Sequence, residues 1–144
     1  MKKMYLLRGA ANKGKTTTLI NLAVQLLTKF PEKLIYFEKM GEVDYVAVWR
    51  NGDKTLGIYS GGDNKWVVFR NLGILHNWSC NYIVGTVRTY GGSCHTAEAY
   101  NHLFNNQDQS KGKEIIWIDK TAANDKDNNQ CQKELFKIVK EILQ

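Results

Sequence analysis

The stretch "MYLLRGAANKGKTTTLINLA", residues 4–23, decides how the chain folds. It begins with four apolar residues, as a short buried strand does, and the apolar residues that follow Lys15 recur at helical spacing. Between these two segments, Gly9, Gly14, Lys15 and Thr16 satisfy the spacing G-x-x-x-x-G-K-[ST]. The sequence therefore predicts a strand, a tight glycine-containing loop and a helix, in that order.

The chemistry of such a loop suits a phosphate group. Glycines let the backbone wrap around an oxyanion with its N–H groups pointing inward, and the following helix adds free N–H groups and the positive end of its dipole. A lysine at position 15 reaches the β- and γ-phosphates, and the Thr16 hydroxyl is a ligand for Mg²⁺. We therefore expect ATP or GTP with Mg²⁺ as cofactors. The residues predicted to bind the nucleotide are Gly9, Asn12, Lys13, Gly14, Lys15, Thr16 and Thr17.

The rest of the chain alternates strand and helix patterns, which predicts an α/β fold. "YVAVWRNGDKTLGIYS", residues 45–60, reads instead as a hairpin joined at Asn51-Gly52. We expect one domain over 1–144 with three α/β/α layers and a mainly parallel sheet whose first strand is central. The second half of the hairpin should belong to the main sheet and its first half should be added at an edge. The other predicted strands cover 33–39, 81–88 and 114–119, and the predicted helices cover 15–30, 95–105 (capped by Ser93 or Thr96) and 130–144. Residues 64–78 fit a helix or a strand, and we favour a helix because a connection is needed before the next strand.

Composition limits the partners and the compartment. The net charge is +6 and the pI about 9.2, which favours anionic partners: nucleotides, nucleic acid or acidic lipid. Three cysteines, an odd number, indicate a reducing compartment. The first apolar stretch stops at Arg8, too short for a signal peptide, and no segment has the length of a membrane span. We therefore expect a cytoplasmic protein without membrane contact.

At the loop and the helix after it, the chain resembles the P-loop NTPase superfamily. The resemblance implies a three-layer fold and phosphate binding by Gly14, Lys15, Thr16 and Thr17. "GKTTTLINLA" is similar to a run in the partition and septum-site ATPases, which also carry a signature lysine near the start of the loop. Ala10 stands at the matching position in this chain, so the family within the superfamily stays open.

Two aspartates compete for the carboxylate that orders the metal in such enzymes. "LGIYSGGD" ends in Asp63, and its place in the chain order suits a strand beside the first one. "IIWID" ends in Asp119, but it comes late in the chain, where P-loop proteins more often recognise the base. We predict Asp63 as the metal ligand together with Thr16. The alternative for Asp63 is a helix N-cap, and for Asp119 a turn residue at the end of a strand.

Two further charged residues follow predicted strands. Arg88 could stabilise charge on the transferring phosphoryl group, or be a surface cation; with the first role, the predicted catalytic set is Lys15, Asp63 and Arg88. Glu38 could accept the proton of an acceptor hydroxyl, or be an ordinary exposed glutamate. The leading hypothesis is hydrolysis of the γ-phosphate. The alternatives are a nucleotide or small-molecule kinase that uses Glu38, and a non-catalytic nucleotide-responsive or nucleic-acid-binding module.

Overall fold

The computed structural model of the chain describes residues 3–9, 14–89, 91–105, 115–120 and 124–144. Within these ranges it is a mixed α/β fold with one six-stranded sheet and four α-helices. The strands are β1 (Lys3–Arg8), β2 (Leu34–Met40), β3 (Asp44–Asn51), β4 (Lys54–Tyr59), β5 (Tyr82–Val87) and β6 (Ile115–Asp119). The helices are α1 (Lys15–Lys29), α2 (Lys65–Asn77), α3 (Gly92–Asn105) and α4 (Asp125–Leu143), and Pro31–Lys33 forms a single 3₁₀ turn after α1.

The sheet has the order β2-β3-β4-β5-β1-β6 and is mixed, so the prediction of a mainly parallel sheet is wrong. The pairs β4–β5, β5–β1 and β1–β6 are parallel, whereas β2–β3 and β3–β4 are antiparallel. The cause is the length of two connections. Only Gly52 and Asp53 join β3 to β4, and only residues 41–43 join β2 to β3. Connections this short link antiparallel neighbours, because a parallel pair needs a crossover of a dozen residues or more.

Two predicted positions in the sheet change as a consequence. The second half of the hairpin, β4, belongs to the main sheet as predicted, since it pairs with β5. The prediction of the first half, β3, as the edge is wrong, because β2 pairs with β3 on its outer side. The first strand is internal as expected, with β5 on one side and β6 on the other. It lies one position from the opposite edge, however, and not at the centre.

Helices cover both faces of the sheet. Along β1 the side chains alternate, so that Leu7 joins a core with α1 and α4, while Leu6 joins a second core with α2 and α3. Trp49 and Val48 of β3 divide between the same two cores, and both are fully buried. Because alternate side chains of one strand face opposite sides of the sheet, each face packs against helices. The result is three layers: helix, sheet and helix.

The helix starts differ in detail from the sequence prediction. The helix predicted over 64–78 is confirmed as α2. The two predicted caps of α3 are wrong, because α3 starts at Gly92 and both Ser93 and Thr96 lie inside it. The Ser93 Oγ instead accepts a hydrogen bond from the backbone N–H of Arg88 (2.9 Å). Among the described helices, none combines the length and the apolar character that a membrane crossing requires.

Gly85 on β5 offers a test of how the second core is packed. A Cβ added to Gly85 would lie 2.1 Å from the Tyr59 ring, which is fully buried and whose hydroxyl donates to the Thr86 carbonyl. We expect Gly85→Ala to lower the free energy of unfolding by about 1–3 kcal/mol, measured by urea denaturation. Gly73→Ala in α2 is the matched control. It meets no atom within 4 Å and should raise stability by up to ~1 kcal/mol. Equal effects of the two variants would contradict the packing described.

Candidate phosphate-binding site

The carboxyl ends of β1 and β5 form a crevice at one edge of the sheet. The chain leaves β1 toward α1 on one face and leaves β5 toward α3 on the other. Neighbouring parallel strands whose helices diverge in this way open a crevice in which α/β proteins bind ligands. Gly9 and Gly14, the described ends of the predicted loop, lie at this crevice.

Lys15 bridges the two strands that border the crevice. It is the first residue of α1, is only 6% exposed, and its Nζ donates to the carbonyl oxygens of Gly9 (2.7 Å) and Val87 (3.1 Å). Burial lowers the pKa of Lys15; the nearby charge of Asp63 opposes this shift and that of Arg88 adds to it. Among the described residues the ammonium thus has carbonyl partners and no hydrogen-bonded carboxylate, an arrangement that an added anion stabilises.

The N-terminus of α1 has no side-chain cap. Its N-cap residue is Gly14, in the left-handed conformation at φ 80°, which has no side chain to accept from the first-turn N–H groups, and the described side chains supply no cap in its place. In contrast, α2 and α4 are each capped by an asparagine, Asn64 and Asn124. The uncapped N–H groups of α1 therefore remain available to an anion at the place where Lys15 lies.

Asn128 reaches this site from α4. A Cβ on Gly14 would lie 2.5 Å from the Asn128 Oδ1, so this close approach, as well as the positive φ, requires glycine at position 14. Asn128 is 8% exposed, and its buried Oδ1 has no hydrogen-bond partner. It follows Asp127, which forms an ion pair with the fully buried Lys120 after β6. Sequence analysis missed Asn128, since no local motif marks it.

Asp63 and Arg88 lie together beside Lys15. The Arg88 Nε is 3.7 Å from the Asp63 Oδ1, and both side chains are partly exposed. The reason given for Asp63 from chain order is wrong, because β5 lies between β4 and β1. Asp63 reaches the crevice through Gly62, where a Cβ would lie 2.0 Å from the Thr86 carbonyl oxygen. A glycine there lets the backbone cross directly over the end of β5.

Asp119 has a different partner. It ends β6, which does adjoin β1, and its Oδ1 accepts from the Arg8 Nε at 3.0 Å. That hydrogen bond raises the pKa of Arg8. The charges of Asp63 and Arg88 shift the pKa of Lys15, Asp63 upward and Arg88 downward, whereas Asp119 has no such effect on Lys15. The predicted alternative of Asp63 as helix cap is also wrong, since Asn64 accepts from the Val67 N–H (3.0 Å).

The other predicted residues divide into three groups. Thr16 and Thr17 lie in the first turn of α1, half-buried and exposed respectively, whereas Asn12 and Lys13 lie outside the described residues. Glu38 lies on the edge strand β2, accepts from the Tyr36 hydroxyl, and is separated from β1 by four strand spacings, about 19 Å. The structure thus brings together Lys15, Asp63 and Arg88 but not Glu38.

No group of three or more His, Cys, Asp or Glu side chains in the described ranges could hold a metal ion. Mg²⁺ does not need such a group, because it keeps several waters and binds through one or two carboxylates and the phosphates of its ligand. An unpartnered buried oxygen, an uncapped helix and a buried ammonium fit a bound Mg²⁺–nucleotide.

Comparisons with known proteins give no family. No protein-family model matches the chain, and neither a curated protein nor a solved structure matches it. The candidate site therefore rests on the geometry of this chain, and the resemblance to P-loop NTPases stays a prediction.

The roles of Asp63 and Asn64 can be separated by stability measurements. We expect Asn64→Ala to lower the free energy of unfolding by about 1 kcal/mol, because it removes the cap of α2. Asp63→Asn should change it by less than about 0.5 kcal/mol, because Asp63 is exposed and caps no helix. Chemical denaturation of both variants decides. A larger loss for Asp63→Asn would contradict these assignments.

Proposed function

We propose that the chain binds ATP or GTP with Mg²⁺ at Gly9–Thr17 and hydrolyses the γ-phosphate. The observation that carries the proposal is Lys15: a buried ammonium, held by the Gly9 and Val87 carbonyls at the uncapped start of a helix. A cation in this setting needs a compensating anion, and the free N–H groups beside it favour phosphate. The assignment of the fold to the P-loop type belongs to the same proposal. It is supported by the strand, loop and helix order at an internal strand.

Each residue of the site has a defined part in this proposal. The N–H groups of the first turn of α1 and the Lys15 ammonium bind phosphate oxygens. The Thr16 hydroxyl and the Asp63 carboxylate would hold Mg²⁺, which would neutralise phosphate charge and orient the leaving group. Arg88, which faces Asp63 across 3.7 Å, stabilises the charge that develops on the transferring phosphoryl group.

The position of Glu38 favours hydrolysis over transfer to a second substrate. The kinase alternative needs a carboxylate close to the phosphoryl acceptor, within hydrogen-bond reach of the hydroxyl that it activates. Glu38 lies on the edge strand β2, with β3, β4 and β5 between it and β1. With Glu38 this far from the site, we propose water as the phosphoryl acceptor, since water needs no second binding domain.

Nucleotide binding is tested by Lys15→Ala. Because a charge-assisted hydrogen bond contributes roughly 1.5–3 kcal/mol, we expect the affinity for a fluorescent ATP or GTP analogue to fall at least tenfold. The matched control is Lys29→Ala, an exposed lysine at the other end of the same helix, which should bind as the unmodified chain does. Circular dichroism checks the fold, and Lys15→Met serves if the alanine variant unfolds. Unchanged affinity in a folded variant would sink the proposal.

Turnover is tested by Asp63→Asn against Asp119→Asn. Both residues are exposed aspartates that face an arginine, which makes them a matched pair. We expect Asp63→Asn to lower Mg²⁺-dependent phosphate release by about 100-fold while binding in the absence of Mg²⁺ persists. Asp119→Asn should leave phosphate release within about twofold, because its partner Arg8 is not part of the proposed site. The reverse order of effects would assign the metal to Asp119.

A further inference from the structure

An exposed apolar surface lies on α2 and α3. Trp66 is 71% exposed, Phe69 68% and Leu103 65%, and these are the three most exposed large hydrophobic side chains in the described part of the chain. Together with Lys65 and Arg70 they define what we term the α2–α3 face. Single exposed apolar residues are common, but a cluster of this kind marks a binding surface.

Two of the apolar side chains of this face, Phe69 and Leu103, line a groove between the two helices. The groove has a volume of about 200 Å³ and is lined by Phe69, Leu72, Thr96, Ala99, Tyr100 and Leu103. Trp66 lies one helical turn before Phe69, so the two aromatic rings project from the same side of α2. The surface therefore offers two aromatic rings and an apolar recess next to them.

Positive charge accompanies the aromatic rings. Lys65 and Arg70 are both exposed, and α2 contains no acidic residue at all. The Lys65 Nζ lies 5.0 Å from the centroid of the Trp66 ring. By contrast, the long helix α4 is balanced, with four lysines and four acidic residues. Two exposed cations thus accompany the exposed aromatic side chains of α2, with no acidic residue on the same helix to offset them.

We propose that the α2–α3 face binds single-stranded nucleic acid. Bases stack on the Trp66 and Phe69 rings, and Lys65 and Arg70 contact the phosphates. The combination of cations with exposed aromatic faces is the one that single strands require, because every base has a stacking face and every nucleotide a negative charge. A purely apolar partner would use the rings but would leave the two cations unpaired.

The direct test is the fluorescence anisotropy of a labelled oligothymidylate at low salt with no nucleoside triphosphate present. We expect Trp66→Ala and Phe69→Ala each to weaken binding by about tenfold, as loss of one stacked base does. Both residues are exposed, so neither truncation should disturb the fold. The matched control is Phe37→Ala, an exposed aromatic residue on the edge strand β2, which should bind normally.

The salt dependence tests the cations separately. The double variant Lys65→Gln/Arg70→Gln should reduce the slope of log affinity against log salt by about 1.4, or roughly 0.7 for each phosphate contact with a single strand. Lys39→Gln, an exposed lysine on β2, should leave the slope unchanged. An unchanged slope in the double variant would overturn the assignment of Lys65 and Arg70.

Three further results would bear on nucleic-acid binding as a whole. The proposal would be overturned if oligothymidylate and oligouridylate did not bind at low salt, or if Trp66→Ala and Phe69→Ala bound the oligonucleotide as tightly as the unmodified chain does. Retention of the chain on anionic phospholipid vesicles that depends on Trp66 while the oligonucleotides do not bind would also overturn it, since that result identifies a membrane surface. The inference goes beyond the proposed function and does not depend on it: Lys15→Ala should bind the oligonucleotide as the unmodified chain does.

Discussion

The ammonium of Lys15, held between the carbonyl oxygens of Gly9 and Val87, is the interaction on which the rest of the site depends. It joins the ends of β1 and β5, so the loop and both strands must keep their relative positions for it to form. Burying a charged lysine without a hydrogen-bonded carboxylate is unfavourable, and the lowered pKa of Lys15 reflects that burial. The fold thus holds a positive charge at a place where an anion improves its energy.

Main-chain constraints position the groups around that charge. Gly14 adopts a left-handed conformation and lies against Asn128, so a side chain at this position would strain the backbone and collide with α4. Gly62 crosses over the Thr86 carbonyl and brings Asp63 to Arg88. Because glycines govern both approaches, the spacing of the charged groups follows from the backbone rather than from flexible side chains.

Much of the local structure could be predicted from the sequence, but the order of the strands could not. The strand before Lys15 and the helix that begins at it follow from adjacent residues, and so does the helix at 65–77. The sheet order depends on which strands pair when they are far apart in the sequence. The short connection between β2 and β3 makes them neighbours, but it does not indicate which of the two is the edge strand. Chain order therefore put Asp63 beside β1, where β5 in fact lies. The contribution of Asn128 depends on α4 reaching Gly14, which no local pattern encodes.

The most direct measurement of the central claim is the change in backbone amide signals by heteronuclear NMR when Mg²⁺ and a non-hydrolysable nucleoside triphosphate are added. If the phosphate binds at the uncapped start of α1, the largest shifts should fall on the N–H groups of Lys15, Thr16 and Thr17, with smaller ones at Arg88. Titration to saturation that leaves these amides unmoved, or that shifts mainly another surface, would contradict a phosphate site at this loop.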